Sequence, residues 1–333
     1  MKDNLGINFL NRNNYDMEQA LDNFSNDLGE LNEQEYSWLR SHGQDEWEEY
    51  LQFRYSFRYD ANSERMTNFP IYMVIEPSSI CNLKCSMCFQ CDEVLRKNKS
   101  GVMELNLWKK AIDEARKKGC KALTIAGRGE PLINCNIVEM FDYLKGKFIE
   151  IKLNTNGILM SDDIIRSILR NDIMVVFSAE GSNEIEYSSI RIGGDFSKLV
   201  ANVKRFKYIR QNEYPESLCT TRICGVAFES VDIKRYYDFW APLVDEVAIT
   251  EYEERKDTYH NKENMEQRRC ARLWQRIYVW WDGSISPCDV DYLNKLNMGN
   301  INVDSIENIW NGEAFNRIRA LHHGGGEKSD NSL

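Results

Sequence analysis

The rhythm of apolar and polar positions changes near residue 70. Before it, Met17, Leu21, Phe24 and Leu28 recur at helical spacing. The stretch from Tyr36 to Tyr59 is crowded with aromatic residues: Trp38, Trp47, Tyr50, Phe53, Tyr55 and Phe57. This pattern predicts a helical extension over residues 1–68, serving as an appendage, a lid or a partner-docking module. It shows no strand alternation of the kind a winged-helix peptide binder would need. From Ile71 short apolar runs of strand length take over: Ile71 to Glu76, Ala122 to Ala126, Ile149 to Leu153, Ile173 to Ser178, Leu218 to Phe228 and Glu246 to Ile249. Amphipathic stripes fall between them. Trp108, Ala111, Ile112 and Ala115 make one, Phe196, Leu199, Val200 and Val203 a second, and Ile233, Tyr236, Tyr237 and Trp240 a third. Strands alternating with helices imply parallel strands joined by helical crossovers. Six such strands predict an α/β partial (β/α)6 TIM-like barrel over 69–255, with its ligand at the carboxyl ends of the strands.

The segment 256–333 breaks the alternation. Arg276 to Trp281 reads as a strand, and Asp282-Gly283 as a two-residue hairpin turn. Asp304 with Glu307 resembles a capping box opening a helix through Ile306, Ile309 and Trp310. The tail from His322 reads as frayed. A small C-terminal α+β domain is the expectation.

Composition narrows the classes. The chain has 333 residues and is 42% hydrophobic, enough for one large domain with appendages or for two domains. Its net charge of −10 argues against a general nucleic-acid binder. No apolar run approaches a membrane span, and the N-terminus has no signal-peptide stretch, so a cytoplasmic protein is expected. Ten cysteines in a reducing compartment read as metal ligands or catalytic groups before they read as disulfides.

Three of them, Cys81, Cys85 and Cys88, stand at C-x3-C-x2-C spacing directly after the first predicted strand. Three thiolates on one loop can hold three irons of a cubane cluster and leave the fourth open to a small molecule. Cys91 extends the run to four, and four thiolates could instead hold a structural zinc. A fourth thiolate on the cluster would block its open iron, so Cys91 reads as a free or packing cysteine. Gly127-Arg128-Gly129-Glu130-Pro131 ends the second strand, Asn154-Thr155-Asn156-Gly157 the third, and Ser178 the fourth, followed by Glu180 and Arg191.

With these motifs in this order, the chain resembles the radical S-adenosylmethionine (SAM) superfamily. The resemblance implies a 4Fe-4S cluster on Cys81, Cys85 and Cys88 that chelates SAM and, once reduced, cleaves it to a 5′-deoxyadenosyl radical that takes hydrogen from a substrate. A one-electron donor such as flavodoxin or ferredoxin is implied as partner. The family's glycine-glycine-glutamate element receives the methionyl ammonium; Gly127, Gly129 and Glu130 occupy it here, with Arg128 a variation. Asn154 and Asn156 look like the ribose-contacting segment, and Met87 occupies the apolar position near the adenine. Ser178 and Arg191 match the pair that holds the SAM carboxylate, for which the guanidinium fork is suited. Cys270 and Cys288, in C-x12-G-x4-C around Gly283, resemble the opening of a SPASM or twitch domain, where an auxiliary 4Fe-4S cluster binds. Relatives usually add cysteines downstream, and none follows Cys288 here. His322 and His323 are candidate ligands only in principle. Cys120, Cys135, Cys219 and Cys224 read as structural cysteines, the last two at opposite-parity strand positions.

These motifs concern the cofactor and do not read the substrate. Without a recognisable leader-binding module, the expectation tilts to a small polar metabolite such as a sugar, cyclitol or nucleoside derivative. A peptide-modifying maturase is the alternative; a non-catalytic Fe-S scaffold or a zinc module would be the remaining ones. Glu180, Asp289 and Asp291 are candidate proton acceptors by position, and Arg128 and Arg222 candidate donors to a hydroxyl-rich substrate.

Overall fold

The computed structural model describes residues 31, 33–61, 63–252, 259 and 270–322. The stripe Met17–Leu28 and His323 lie outside the described residues. The chain divides into two compact units, Met1–Met66 and Thr67–Leu333.

In the first unit, helices α1 (Glu33–Ser41) and α2 (Gln44–Tyr55) are followed by a π-helical turn, Ser56–Asp60. The aromatic crowding seen in the sequence makes the contact between them. Trp38 stacks on Tyr50 with ring centroids 3.9 Å apart. Glu35 is buried, and its carboxylate takes the Arg54 Nε at 2.6 Å and the Arg58 guanidinium. A buried carboxylate has to be paired in this way, because desolvating it alone is costly.

The second unit is built on one sheet. Strands β1 (Tyr72–Ile75), β2 (Ala122–Ile125), β3 (Glu150–Thr155), β4 (Met174–Ser178), β5 (Thr221–Ala227) and β6 (Glu246–Glu251) lie side by side in chain order. Every neighbouring pair among them is parallel. The helices between them are α3 (Glu93–Asn98), α4 (Leu105–Lys117), α5 (Ile137–Asp142), α6 (Asp162–Arg170), α7 (Glu184–Ile190), α8 (Phe196–Glu213) and α9 (Ile233–Trp240). The expected open α/β barrel is therefore present. Exposure alternates along β3 and β5: Ile151, Leu153 and Ile223 are buried, while Lys152, Asn154, Arg222, Cys224 and Val226 are partly open on the other face.

The C-terminal segment does not stand apart from this sheet. Strand β7 (Arg276–Val279) pairs with β1 in parallel, and β8 (Ser284–Ser286) and β9 (Gly299–Asn300) extend it antiparallel. Helices α10 (Ile306–Asn311) and α11 (Glu313–His322) follow. His322 is thus the last residue of a helix and not part of a frayed tail.

Four local expectations change. The β7–β8 hairpin has a three-residue loop, not two: Trp280 N–H donates to Ser284 O at 2.9 Å, and Gly283 N–H to Trp280 O at 2.9 Å. Gly283 takes φ +81°, the left-handed position such a loop requires. The cap of α10 is Ser305 and not Asp304, with Ser305 Oγ accepting the Asn308 N–H at 3.1 Å. On α9 only Tyr236 and Trp240 are buried, and Ile233 and Tyr237 are exposed, so the apolar stripe is narrower than its spacing suggested. Cys120 and Cys219 are core residues, but Cys135 is exposed and Cys224 lies on the open face of β5.

One buried ion pair joins three parts of this unit. Glu76, just past β1, is fully buried, and Arg128, just past β2, is 3% exposed. Arg128 meets Glu76 through Nε at 3.0 Å and Nη2 at 2.5 Å, and its backbone N–H adds a third contact at 2.6 Å. Its Nη1 reaches Tyr292 O at 3.1 Å, and the guanidinium lies 4.2 Å from the Trp280 ring centroid. Arg128 lines the cavity, yet its Nε, Nη1 and Nη2 each have a protein partner, so its guanidinium serves as a structural tie between the strand ends. Arg128→Met is expected to destabilise the apoprotein by about 3–5 kcal/mol, because Glu76 is left buried without its partner. Guanidinium denaturation followed by tryptophan fluorescence measures this; a change under about 1 kcal/mol contradicts the assignment.

Candidate active site

The loop between β1 and α3 carries the cysteine run. Its backbone is tied to the rest of the unit: Lys84 and Ser86 N–H donate to Ile192 O at 2.9 Å and Ile190 O at 3.0 Å, and Glu130 N–H donates to Ile80 O at 2.9 Å. Gln90, buried, donates from Nε2 to Ser79 O at 2.8 Å and also to Arg128 O. Gly129 lets the second motif pass close to this loop. A Cβ there would lie 2.4 Å from Ile80 O and 2.5 Å from the Ser79 carbonyl carbon. At Gly127 a Cβ would meet the Glu76 side chain at 2.5 Å.

A cavity of about 620 Å³ opens at the carboxyl ends of the strands. It brings together Cys81, Cys85, Met87, Cys88, Gly127, Gly129, Glu130, Asn154, Asn156, Ser178 and Arg191. Each of the three cysteine sulfurs accepts one N–H: Cys81 from Leu83 at 3.4 Å, Cys88 from Gln90 at 3.4 Å, and Cys85 from Arg191 Nη1 at 3.6 Å. Burial pushes the Cys81 thiol up to about 12 and Cys88 to about 11, and raises Cys85 as well. Without metal these thiols stay protonated at neutral pH, so metal binding must displace their protons. Cys91 does not line the cavity; its thiol donates to Cys85 O at 3.3 Å.

The polar groups around the thiols fall into bound and unbound sets. Glu130 is 2% exposed and accepts from Thr155 Oγ1 at 2.6 Å, Asn156 N–H at 2.8 Å and Leu132 N–H at 3.2 Å. Burial raises its carboxyl above the usual carboxylate range, against those hydrogen bonds. The Asn156 side chain is held at both ends, by Asn82 Oδ1 at 2.8 Å and Ile158 N–H at 3.0 Å. Asn154 Oδ1, in contrast, is buried and has no hydrogen-bond partner. Glu180 is buried, does not line the cavity, and grips Arg191 through two bonds, one of them Nη2 to Oε1 at 2.9 Å. Although burial opposes it, Glu180 and Cys85 hold the Arg191 charge well above its ordinary range.

The C-terminal candidates sit elsewhere. Cys270 and Cys288 do not line this cavity, but they lie within electrostatic reach of each other, and Arg272 lies beside both. Burial raises Cys288 to about 11. Arg272 pairs with Asp289 at 3.3 Å and does line the cavity. Asp291 is 4% exposed and accepts from Tyr259 Oη at 2.5 Å, Lys295 N–H at 2.8 Å and Leu296 N–H at 2.9 Å. Arg222 does not reach the cavity and pairs with Glu246 at 3.4 Å. Thr250, Glu251, Tyr252 and Arg272 line the cavity without having been singled out in the sequence. The first three lie at the end of β6, where the strand-end rule would have found them; nothing in the pattern marks Arg272.

Comparison with known proteins places the chain. The model of the Radical SAM superfamily matches residues 75–239, and that of SPASM, an iron-sulfur cluster-binding domain, matches 270–331. The chain belongs to the radical SAM superfamily and carries a SPASM domain. It is 21% identical over 289 residues to the subtilosin biosynthesis protein AlbA of Bacillus subtilis, across 75% of this chain and 61% of that one. It is 28% identical over 107 residues to the tungsten-containing aldehyde ferredoxin oxidoreductase cofactor-modifying protein of Pyrococcus furiosus, across 32% of this chain and 29% of that one. The chain therefore spans less than two thirds of the length of these curated relatives. Among solved structures, Streptococcus suis SuiB bound to its precursor peptide SuiA matches with a TM-score of 0.63 at 16% identity, covering 92% of this chain and 79% of that one. The same protein bound to SAM matches with a TM-score of 0.61.

Membership implies a 4Fe-4S cluster and SAM, and the residues present fit them. Among the described residues no three His, Cys, Asp or Glu converge as they would on a single metal ion. A cubane takes one thiolate on each of three irons, so its thiols border a volume rather than a point, and these three line one cavity. The orphaned Asn154 Oδ1 is a buried acceptor that a bound ligand would satisfy. No described helix is long and apolar enough to cross a membrane.

Gly129→Ala is expected to push the cysteine loop off the second motif and lower bound iron after anaerobic reconstitution to under about half the parental content. Iron content with an unchanged circular dichroism spectrum is the measurement. Parental iron content would mean the close approach has no role in holding the loop.

Proposed function

We propose that this chain is a radical SAM enzyme that abstracts hydrogen from a small polar metabolite. The observation that carries the reading is the convergence of the three cysteines and three strand-end motifs on one cavity. When bound, the cluster and SAM supply a 5′-deoxyadenosyl radical by one-electron reductive cleavage. The protein's own residues bind and orient. Cys81, Cys85 and Cys88 hold the cluster as thiolates, and the N–H groups of Leu83 and Gln90 and the Arg191 guanidinium stabilise that charge. Arg191, set by Glu180, presents the face not taken by that carboxylate to the SAM carboxylate, with Ser178 beside it. Glu180 is then a positioning residue for Arg191 and not a proton acceptor. Glu130 and the Gly127–Gly129 backbone offer acceptors to the methionyl ammonium, and Asn154 offers its unpartnered oxygen to the ribose. Asn156 holds Asn82 and so sets the loop from behind. Met87 packs toward the adenine.

Substrate size follows from volume. A cavity of about 620 Å³ is within the range of a single drug-sized ligand, and on this reading it takes SAM beside the cluster. What remains suits a small reacting group. Asp291, bonded within its own loop, supplies no proton acceptor on this reading; Asp289, beside Arg272, is better placed. A peptide substrate is the second reading, favoured by the match to SuiB with its precursor peptide over 92% of this chain. Cys270 and Cys288 are proposed as two ligands of an auxiliary 4Fe-4S cluster. The reading carries a reducing, cytoplasmic setting and a one-electron donor such as flavodoxin or ferredoxin.

Two measurements test it. Iron and acid-labile sulfide after anaerobic reconstitution should reach about four of each per chain for one cluster and about eight for two. The Cys81/Cys85/Cys88→Ala variant should lose about four, and absence of sulfide from the parent would falsify the reading. Arg191→Met should weaken SAM binding about 10- to 100-fold, the loss of a charge-assisted pair. Unchanged SAM affinity by equilibrium dialysis would remove Arg191 from the carboxylate site.

A further inference from the structure

The loop that follows Cys288 reaches back to the loop that carries Cys81, Cys85 and Cys88. Its contact residue is Tyr292, which is 2% exposed. The Tyr292 ring stacks on Phe89, the residue after Cys88, with centroids 5.3 Å apart and planes 14° from parallel. Its hydroxyl donates to Asp92 Oδ2 at 2.9 Å. Asp92 is the N-cap of α3, and its other oxygen accepts the Val94 N–H at 2.7 Å. The Tyr292 carbonyl accepts from Arg128 Nη1 at 3.1 Å. Tyr292 is itself braced by Tyr259, whose ring meets it edge-on at 5.1 Å and whose hydroxyl donates to Asp291.

We propose that Tyr292 is a positioning residue for the cysteine loop, clamping its C-terminal end from the SPASM domain so that Cys88 is held in place for the cluster. The clamp grips both ends of one short turn. Phe89 opens the turn after Cys88, and Asp92 closes it and starts α3. Aromatic stacking fixes the first, and a charge-assisted hydrogen bond fixes the second. The segment bearing Cys288 and the segment bearing Cys88 therefore share one rigid contact. Phe89 and Tyr292 are 203 positions apart in the sequence, so the chain itself imposes no such proximity. The inference rests on the proposed cluster at Cys81, Cys85 and Cys88.

The test uses the anaerobically reconstituted full chain as parent, Tyr292→Leu, Tyr292→Phe and Trp310→Phe. Trp310 is a buried residue of the same C-terminal segment, on α10, where its indole donates to Thr67 O at 2.9 Å. Two readouts do not depend on turnover. One is the rate of iron transfer to a chelator. The other is the SAM-induced change in the electron paramagnetic resonance spectrum of the reduced cluster, which reports the cluster with the open iron. Tyr292→Leu should release iron about tenfold faster and shrink the SAM-induced change, as loss of an outer-shell support does. Tyr292→Phe, which keeps the stack and loses the hydroxyl, should fall between it and the parent. Trp310→Phe should match the parent. Parental rate and spectrum in Tyr292→Leu would overturn the proposal, as would equal acceleration in Trp310→Phe. If Tyr292→Leu does not fold, Tyr292→Phe decides by the same rate. A parent without labile sulfide overturns the cluster reading, and the clamp with it; a parent with normal sulfide and unaffected variants overturns the clamp alone.

Discussion

The buried pair of Glu76 and Arg128 is the constraint on which the second unit depends. Glu76 directly follows the first strand, Arg128 sits inside the second motif, and the pair is roofed by Trp280 and by the Tyr292 carbonyl from the C-terminal segment. Two charges taken out of water are tolerated only when their geometry and remaining hydrogen bonds are satisfied. Here the carboxylate also accepts the backbone N–H groups of Arg128 and Trp281, so strands β1, β2 and β7 are held in one register at their carboxyl ends. The cavity opens at that same end. Variation at the middle position of the glycine-rich motif has thus put a side chain where it joins the SPASM segment to the barrel.

A second consequence is that much of the polar chemistry around the cavity acts on protein and not on ligand. Asn156 ties the third strand to the cysteine loop, Gln90 ties that loop to the second motif, and Glu180 fixes Arg191. Glu130 has three protein donors of its own. Such supports hold side chains that would otherwise lose rotamer freedom on each binding event. The groups left for a ligand are few: the cysteine sulfurs, the Arg191 N–H groups not taken by Glu180 or Cys85, Ser178, the Asn154 oxygen, and the acceptors of Glu130 and the Gly127–Gly129 backbone not taken by protein donors. A site built this way has its side chains positioned by protein contacts before anything binds.

The alternation of exposure on β3 and β5 leaves Lys152, Arg222 and Cys224 on the open face below the cavity. Arg222 pairs with Glu246 across neighbouring strands, and Cys224 lies within electrostatic reach of Arg222 and of Glu180. The open face of the sheet is therefore mixed, with Lys152 beside Met174 and Arg222 beside Val176, while the apolar core lies between the sheet and its helices.

What the sequence by itself determined was local and periodic. Period-two and period-3.6 repeats are enforced by strand and helix geometry, so six parallel strands and their crossovers could be read directly. The motifs that follow those strands could be read for the same reason, since a cluster-binding loop needs its three thiols close in sequence. Caps and turns were legible only to within a residue: Ser305 took the cap from Asp304, and the Gly283 turn gained a residue, because neighbouring positions offer nearly equal chemistry. Three outcomes belonged to tertiary structure alone. Arg128 pairs with Glu76, Asp291 takes the Tyr259 hydroxyl, and Tyr292 meets Phe89. Each depends on which distant group occupies the space in front of a side chain. That is decided by packing across strands far apart in the chain, where no local repeat carries the information.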